Sequence, residues 1–398
     1  MSSFLLGACS IAASKALTSP GHLRLDAVLM GDPQGAVDTY FSDNSVATEA
    51  VEFSPDGRYF ASVSKSKNAQ AMLMLWNAQT HDLIWQKPLS GETECVSFYK
   101  NAEYVVTGGE AENGAGELRI YDTQSASLIR RVSLPSYTKS IEGLRFAPNF
   151  KMLATGDEAG RLLVWDSSNS DPNYWQILKL IDVKNQPDAL ADLNQVDWTS
   201  DSRFLVTAER DGDVHLYDTR QISSSAYTVP IRKFTGFEGY SVKSVRISPN
   251  QRYVAAGAGG MQGVRVWDFE TGILIAHLES ESTPTSDTNK PLNAERIETV
   301  VFSHDSRLLL AGGTWPSWWF LANNQENKAF EVPISVFKLL PEAPNLKPEN
   351  IESMERIKVQ KESEVRAWRT EYLDRHPFQN RFVSGHDDGT IRLWEARF

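Results

Sequence analysis

Cysteine is nearly missing from this chain of 398 residues, which has only Cys9 and Cys95. Neither belongs to a C-x-x-C pair, which excludes a disulfide framework, a cysteine-bound zinc and a dithiol redox centre. No apolar run approaches the ~20 residues that a membrane-crossing helix needs. Positive charge is also short: 40 Lys and Arg face 51 Asp and Glu, a net charge of −11. That balance disfavours nonspecific attraction to nucleic acid or to an anionic membrane surface. None of the seven histidines (His22, His81, His215, His277, His304, His376, His386) shows metal-ligand spacing such as H-E-x-x-H, and no G-x-S-x-G nucleophile elbow occurs. The glycine-rich "GAGGMQG" (257–263) links two strand-like runs and lacks the helix N-terminus that cradles phosphate. No cofactor and no metal are expected. The remaining composition, 41% hydrophobic and 23% charged, is that of a folded, water-soluble protein.

The first residues allow two readings. "FLLGACSIAA" contains Leu6-Gly7-Ala8-Cys9, which resembles a bacterial lipoprotein cleavage box, but no Lys or Arg precedes it. Residues 1–21 are expected to be a flexible leader on a cytoplasmic protein; the alternative is an envelope lipoprotein anchored at Cys9.

A repeat is present. Strand-like runs punctuated by turn residues recur as "VEFSPDGRYFASVS", "VSFYKNAEYVVTGG", "LRFAPNFKMLATGD", "VDWTSDSRFLVTAE", "VRISPNQRYVAAGA" and "VFSHDSRLLLAGG". Five are followed by a short strand ending near an aromatic: "MLMLWN", "LRIYDT", "LLVWDS", "VHLYDT" and "VRVWDF"; "IRLWEA" is a sixth example. These aromatics, Trp76, Tyr121, Trp165, Tyr217, Trp267 and Trp394, are separated by 45, 44, 52, 50 and then 127 residues. The wide gap holds another unit around "ISVFKL" and Phe337, which makes seven. Alternating β-branched and aromatic residues with Ser-Pro-Asp-Gly clusters predict strands and hairpins. Third runs such as "LIWQKPL", "LIRRVSL" and "YTVPIRKF" predict four strands per unit.

These residues resemble the WD-repeat β-propeller family, from about Ser45 to Phe398. The matching dipeptides are Trp165-Asp166 and Trp267-Asp268, with Tyr121-Asp122, Tyr217-Asp218 and Trp394-Glu395 as variants. The resemblance implies an all-β fold: a seven-bladed propeller of four-stranded antiparallel blades across residues 22–398. Asp211 and Asp388 match the family's structural turn aspartate. The partner histidine of a Gly-His dipeptide is not evident, and Gly236-Phe237 stands where one would fall.

The last unit is expected to use "VRAWRTEYL" (365–373), "RFVSG" and "TIRLWE", and so lacks a fourth strand. An open edge there invites aggregation. "LRLDAVLM" (23–30) belongs to no unit and is predicted to pair with the final hairpin, closing the ring non-covalently.

The resemblance also implies a non-catalytic protein–protein interaction scaffold, a monomeric propeller within a complex, that binds a protein or peptide partner on the loop face around its channel. No nucleic acid partner is expected. The alternatives are a propeller enzyme of lactonase or dehydrogenase type and a carbohydrate-binding propeller. From the residue closing its first strand to the aromatic closing its third, unit six spans 35 residues (Phe302 to Phe337), against 19 in unit three (Phe146 to Trp165). The extra length, at about 314–332, carries Trp315, Trp318, Trp319 and Phe320, a candidate partner-binding platform because indoles dominate binding hot spots. The bland alternative is a buried strand or plug. Phe237, Tyr240 and Arg210 are secondary candidates. A second insertion, at about 341–364, reads as helix-prone or as a linker holding the missing strand of unit six.

Overall fold

The computed structural model describes residues 23–30, 46–66, 71–183, 192–224, 228–260, 262–278, 296–314, 330–339, 351–359, 369–387 and 389–396. Its strands form seven four-stranded antiparallel sheets arranged as blades. In blades one to six the four strands follow one another in sequence. Blade three, for example, uses Ile141–Phe146, Met152–Asp157, Arg161–Asp166 and Gln176–Asp182.

Turn chemistry sets the first hairpin of most blades. In blade one the Gly57 N–H donates to the Ser54 carbonyl, and Gly57 sits at φ 71°. Phe150, Ser202, Gln251 and Ser306 hold the same place in other blades, with φ between 56° and 62°. The preceding turn residues Asn149, Asp201, Asn250 and Asp305 each accept the backbone N–H two residues on, which holds this tight geometry.

A single blade is too thin to bury both its faces. Seven apolar clusters, one between each pair of neighbours, bury them instead. Ala154, Leu162 and Val164 of blade three, for instance, pack against Val196, Trp198 and Leu205 of blade four. The ring closes where Val51, Phe60 and Trp76 of blade one meet Val383, Ile391 and Leu393 of blade seven.

Blade seven confirms the predicted closure. Its strands are Thr370–Arg375, Arg381–His386, Thr390–Ala396 and, outermost, Leu23–Met30. Leu23 lies opposite Ala396 and Met30 opposite Thr390, with one irregularity between Leu25 and Ala27. The first strand continues past the expected end at Leu373 to Arg375, and residues 365–368 lie outside the described residues. In blade six Ile351–Val359, within the insertion read as helix-prone or as a linker holding the missing strand, is that strand: it pairs with Phe330–Leu339 as the fourth. No described helix is long and apolar enough to cross a membrane.

Candidate functional site

The innermost strand of every blade carries an irregularity at the same place, between Thr48/Ala50, Thr93/Cys95, Ile141/Gly143, Leu193/Gln195, Val242/Ser244, Ile297/Thr299 and Thr370/Tyr372. The extra residue of such a bulge is left out of the ladder, and its side chain is re-aimed. The seven extra residues are Glu49, Glu94, Glu142, Asn194, Lys243, Glu298 and Glu371. Each is half-buried, and all but Glu371, which has the half-buried Tyr372 beside it, stand between two buried neighbours. They lie near the start of the innermost strand, where the chain arrives from the preceding blade. They therefore form a ring at the channel mouth on the loop face.

Burial first, and then the charge of Glu49, pushes Glu371 well above the usual carboxylate range against the pull of Arg369. Arg369 pairs with Glu371 and lies 3.7 Å from Glu298, which Arg296 reaches at 3.0 Å. Lys243 donates to Asn194 Oδ1 at 3.3 Å. Burial lowers its pKa, opposed by Glu298 of the next blade and by Glu142 from two blades away.

Deeper in the channel a second layer locks the blades together. Arg145 of blade three reaches Asp197 of blade four at 3.2 Å, Asp374 of blade seven at 3.5 Å and Glu52 of blade one at 3.9 Å. The carboxylates also accept from innermost strands of neighbouring blades: Ser97 Oγ donates to Glu52, the Ile247 N–H to Asp197 and the Phe53 N–H to Asp374. Burial outweighs these partners at Glu52 and raises its pKa to about 7. Arg246 donates to the Tyr372 hydroxyl at 3.0 Å.

The residues singled out from sequence divide between the surface, the core and the undescribed segments. Trp315, Trp318, Trp319, Phe320, Asp388 and Cys9 lie outside the described residues. Arg210 is at the surface of the blade-four turn, where it donates to Asp192 at 2.6 Å and ties that turn to the connection from blade three. Asp211, in the same turn, accepts the Asp213 N–H. Tyr240 is 42% exposed on the connection to blade five. Phe237 is a correction: it is fully buried, edge-on to Trp267 at 5.8 Å, with the Arg265 guanidinium 4.2 Å above its ring. The phenyl fills the place where the family's histidine was sought, so it packs the blade junction and is withdrawn from the contact surface. Gly212 is packed against the Phe237 carbonyl, which brings the Arg210 turn beside the Phe237–Tyr240 loop.

Two sets of residues escaped sequence reading. The bulge ring was readable only by aligning "TEAVEF", "TECVSF", "IEGLRF", "LNQVDW", "VKSVRI", "IETVVF" and "TEYLDR". In the other set, the indole N–H groups of Trp76, Trp165 and Trp394 donate to Ser62, Thr155 and Ser384 on the neighbouring strand. In blade seven His386 extends this bond, with Nε2 2.7 Å from Ser384 Oγ. The buried histidine thus comes from the blade's own second strand, and not from a Gly-His dipeptide between blades.

Comparison with known proteins agrees with this architecture. The family model of the nucleolar protein 10-like N-terminal β-propeller domain matches residues 129–318, and that of the WD domain, G-beta repeat, matches 371–395. WD repeat-containing protein 1 of Xenopus tropicalis is 26% identical over 233 residues, covering 48% of this chain and 35% of the relative. A chromatin assembly factor 1 subunit FAS2 homolog of Oryza sativa subsp. japonica is 28% identical over 125 residues, covering 31% of this chain and 22% of the relative. The matches thus span about a third of these relatives' own length or less. A chain from the crystal structure of a mitotic checkpoint complex superposes with a TM-score of 0.66 over 94% of this chain and 92% of its own, at 15% identity, a likeness of fold.

Proposed function

Because the chain is a diverged WD-repeat β-propeller, we propose that it is a non-catalytic scaffold that receives a protein or peptide partner on its loop face, at the acidic channel mouth. The observation that carries this reading is the ring of bulge residues, five of them glutamates, set at one level by all seven blades. The ring's glutamates, of which Glu298 and Glu371 are engaged by Arg296 and Arg369, favour a segment rich in Lys or Arg by charge complementarity and speed its encounter. The deeper carboxylates support holding over chemistry, since Glu52, Asp197 and Asp374 are committed to Arg145 and to neighbouring strands. One relative is by its name a homolog of a chromatin assembly factor 1 subunit, a protein that works in an assembly.

The test is affinity capture from native lysate with the intact chain and with a Glu94→Lys, Glu142→Lys variant. Loss of the captured partner at an unchanged melting temperature supports the reading, and equal capture by both proteins refutes it. A Trp318→Ala, Trp319→Ala variant asks separately whether the aromatic segment adds to the contact. Its expected effect is weaker capture with the melting temperature nearly unchanged.

A further inference from the structure

The hairpin between the second and third strands of blade four gathers three metal-ligating side chains in a buried place. Glu209 ends the strand Phe204–Glu209, Asp213 closes the turn, and His215 is the second residue of Val214–Asp218. One ligand atom of each lies within 4.8 Å of the others, and all three residues are buried. Two distances distinguish the sides of the imidazole. Nδ1 is 2.9 Å from Glu209 Oε1, a hydrogen bond that fixes the ring. Nε2 faces Asp213 Oδ2 at 3.7 Å. That gap is too long for a good hydrogen bond. It does suit two ligand atoms that each stand about 2.1 Å from a shared ion, at a slightly opened tetrahedral angle.

Charge balance points the same way. Lys233, opposite His215 on the fourth strand, pairs with Asp213 through Oδ1 and sets one positive charge against two carboxylates. Glu209 Oε2 is buried without a hydrogen-bond partner. Asp211 in the same turn adds further negative charge, and the Tyr217 ring stands edge-on to the imidazole. A divalent cation between His215 Nε2 and Asp213 Oδ2 offsets this negative charge.

We propose that blade four holds a divalent transition-metal site, with His215 Nε2 and Asp213 Oδ2 as ligands and Glu209 holding Nδ1–H. On binding, His215 Nε2 offers its lone pair to the ion. Glu209 keeps the proton on Nδ1, the carboxylate–histidine–metal arrangement that orients such ligands.

The test uses the full, tag-free chain stripped by chelator and titrated with Co2+ at pH 7.5, read by its visible absorption, and with Zn2+, read by the melting temperature. The intact chain develops the Co2+ bands and melts higher with Zn2+, and His215→Ala loses both. Glu209→Gln weakens Co2+ binding by about tenfold. Lys233→Ala tightens it, because it removes the competing ammonium. Lowering the pH weakens binding by up to about tenfold per unit, as one proton competes with the ion. If His215→Ala does not fold, the opposed shifts of Glu209→Gln and Lys233→Ala decide. Absence of Co2+ bands in the intact chain, or equal affinity in all variants, would overturn the proposal.

Discussion

Blades four and seven have the same three inner strands and differ in where the fourth comes from. In blade four it is Arg232–Phe234, three residues long, reached 14 residues after the third strand ends at Asp218. In blade seven it is Leu23–Met30, eight residues long and 360 residues before the third strand begins at Thr390. Loop-closure entropy rises by ~0.6 kcal/mol per doubling of length, so the remote strand starts about 3 kcal/mol behind the tethered one. Its longer pairing offsets that deficit. Leu25, Ala27 and Leu29 pack on the cores to either side. Arg24 reaches Glu395, and Arg381 reaches Asp26, each at 3.0 Å. A strand held by chain continuity can be a stub, whereas one recruited from the far end of the sequence must bring its own contacts.

Deleting residues 1–31 should break this comparison most severely. It exposes the edge of Thr390–Ala396 and removes the half-buried Leu25 and Leu29, and is expected to cost about 3–5 kcal/mol, the scale of losing one fully buried leucine, seen as a lower unfolding midpoint for the whole ring. Cooperative unfolding identical to that of the intact chain would contradict the closure. Next in size is Phe234→Ala. The ring is fully buried against Trp267 at 5.6 Å, so about 3 kcal/mol should be lost although the strand around it is only three residues long. A loss well under 1 kcal/mol would mean that the tether alone fixes blade four.

The two blades also hold buried histidines of opposite character, and acid should separate them. Burial, and then the nearby Arg392, depress the pKa of His386 well below its ordinary value. Its contribution to stability is therefore present above the unfolded pKa of about 6.5 and lost as the pH falls below it. At His215 burial also opposes the charge, but the hydrogen bond and charge of Glu209 outweigh it and the pKa rises. That contribution is full below about 6.5 and lost as the pH rises through the folded value. Denaturant titrations from pH 5.5 to 8 should show His386→Gln flattening the acid limb and His215→Gln flattening the alkaline one. The same limb affected by both would refute the contrast.

How much of this was legible in the sequence depends on which strand is asked. Inner strands bury both faces against neighbouring blades, so runs such as "LRF" and "VDW" declared themselves, and with them the repeat, the blade number and the closing strand. The outermost strands bury less and carry weaker patterns. Ile351–Val359 has apolar residues at 351, 354 and 357, a helical spacing that pairing with Phe330–Leu339 overrides. The channel mouth was hidden for another reason. A bulge adds one residue to a strand without marking it, so the glutamate ring becomes visible only when all seven strands are set in register. Phe237 misled because exposure was inferred from its place in a connection, while the Trp267 indole and the Arg265 guanidinium enclose it.

Closure is tested most directly by a cross-link at the paired positions. Arg24 and Glu395 are opposed in the ladder, and opposed Cα atoms in antiparallel strands stand about 4.5–5.5 Å apart, within disulfide reach. The Arg24→Cys, Glu395→Cys chain should oxidise to a disulfide within the monomer and unfold at a higher temperature than its reduced form. No bond, or bonds only between separate chains, would contradict a ring fastened by its first strand.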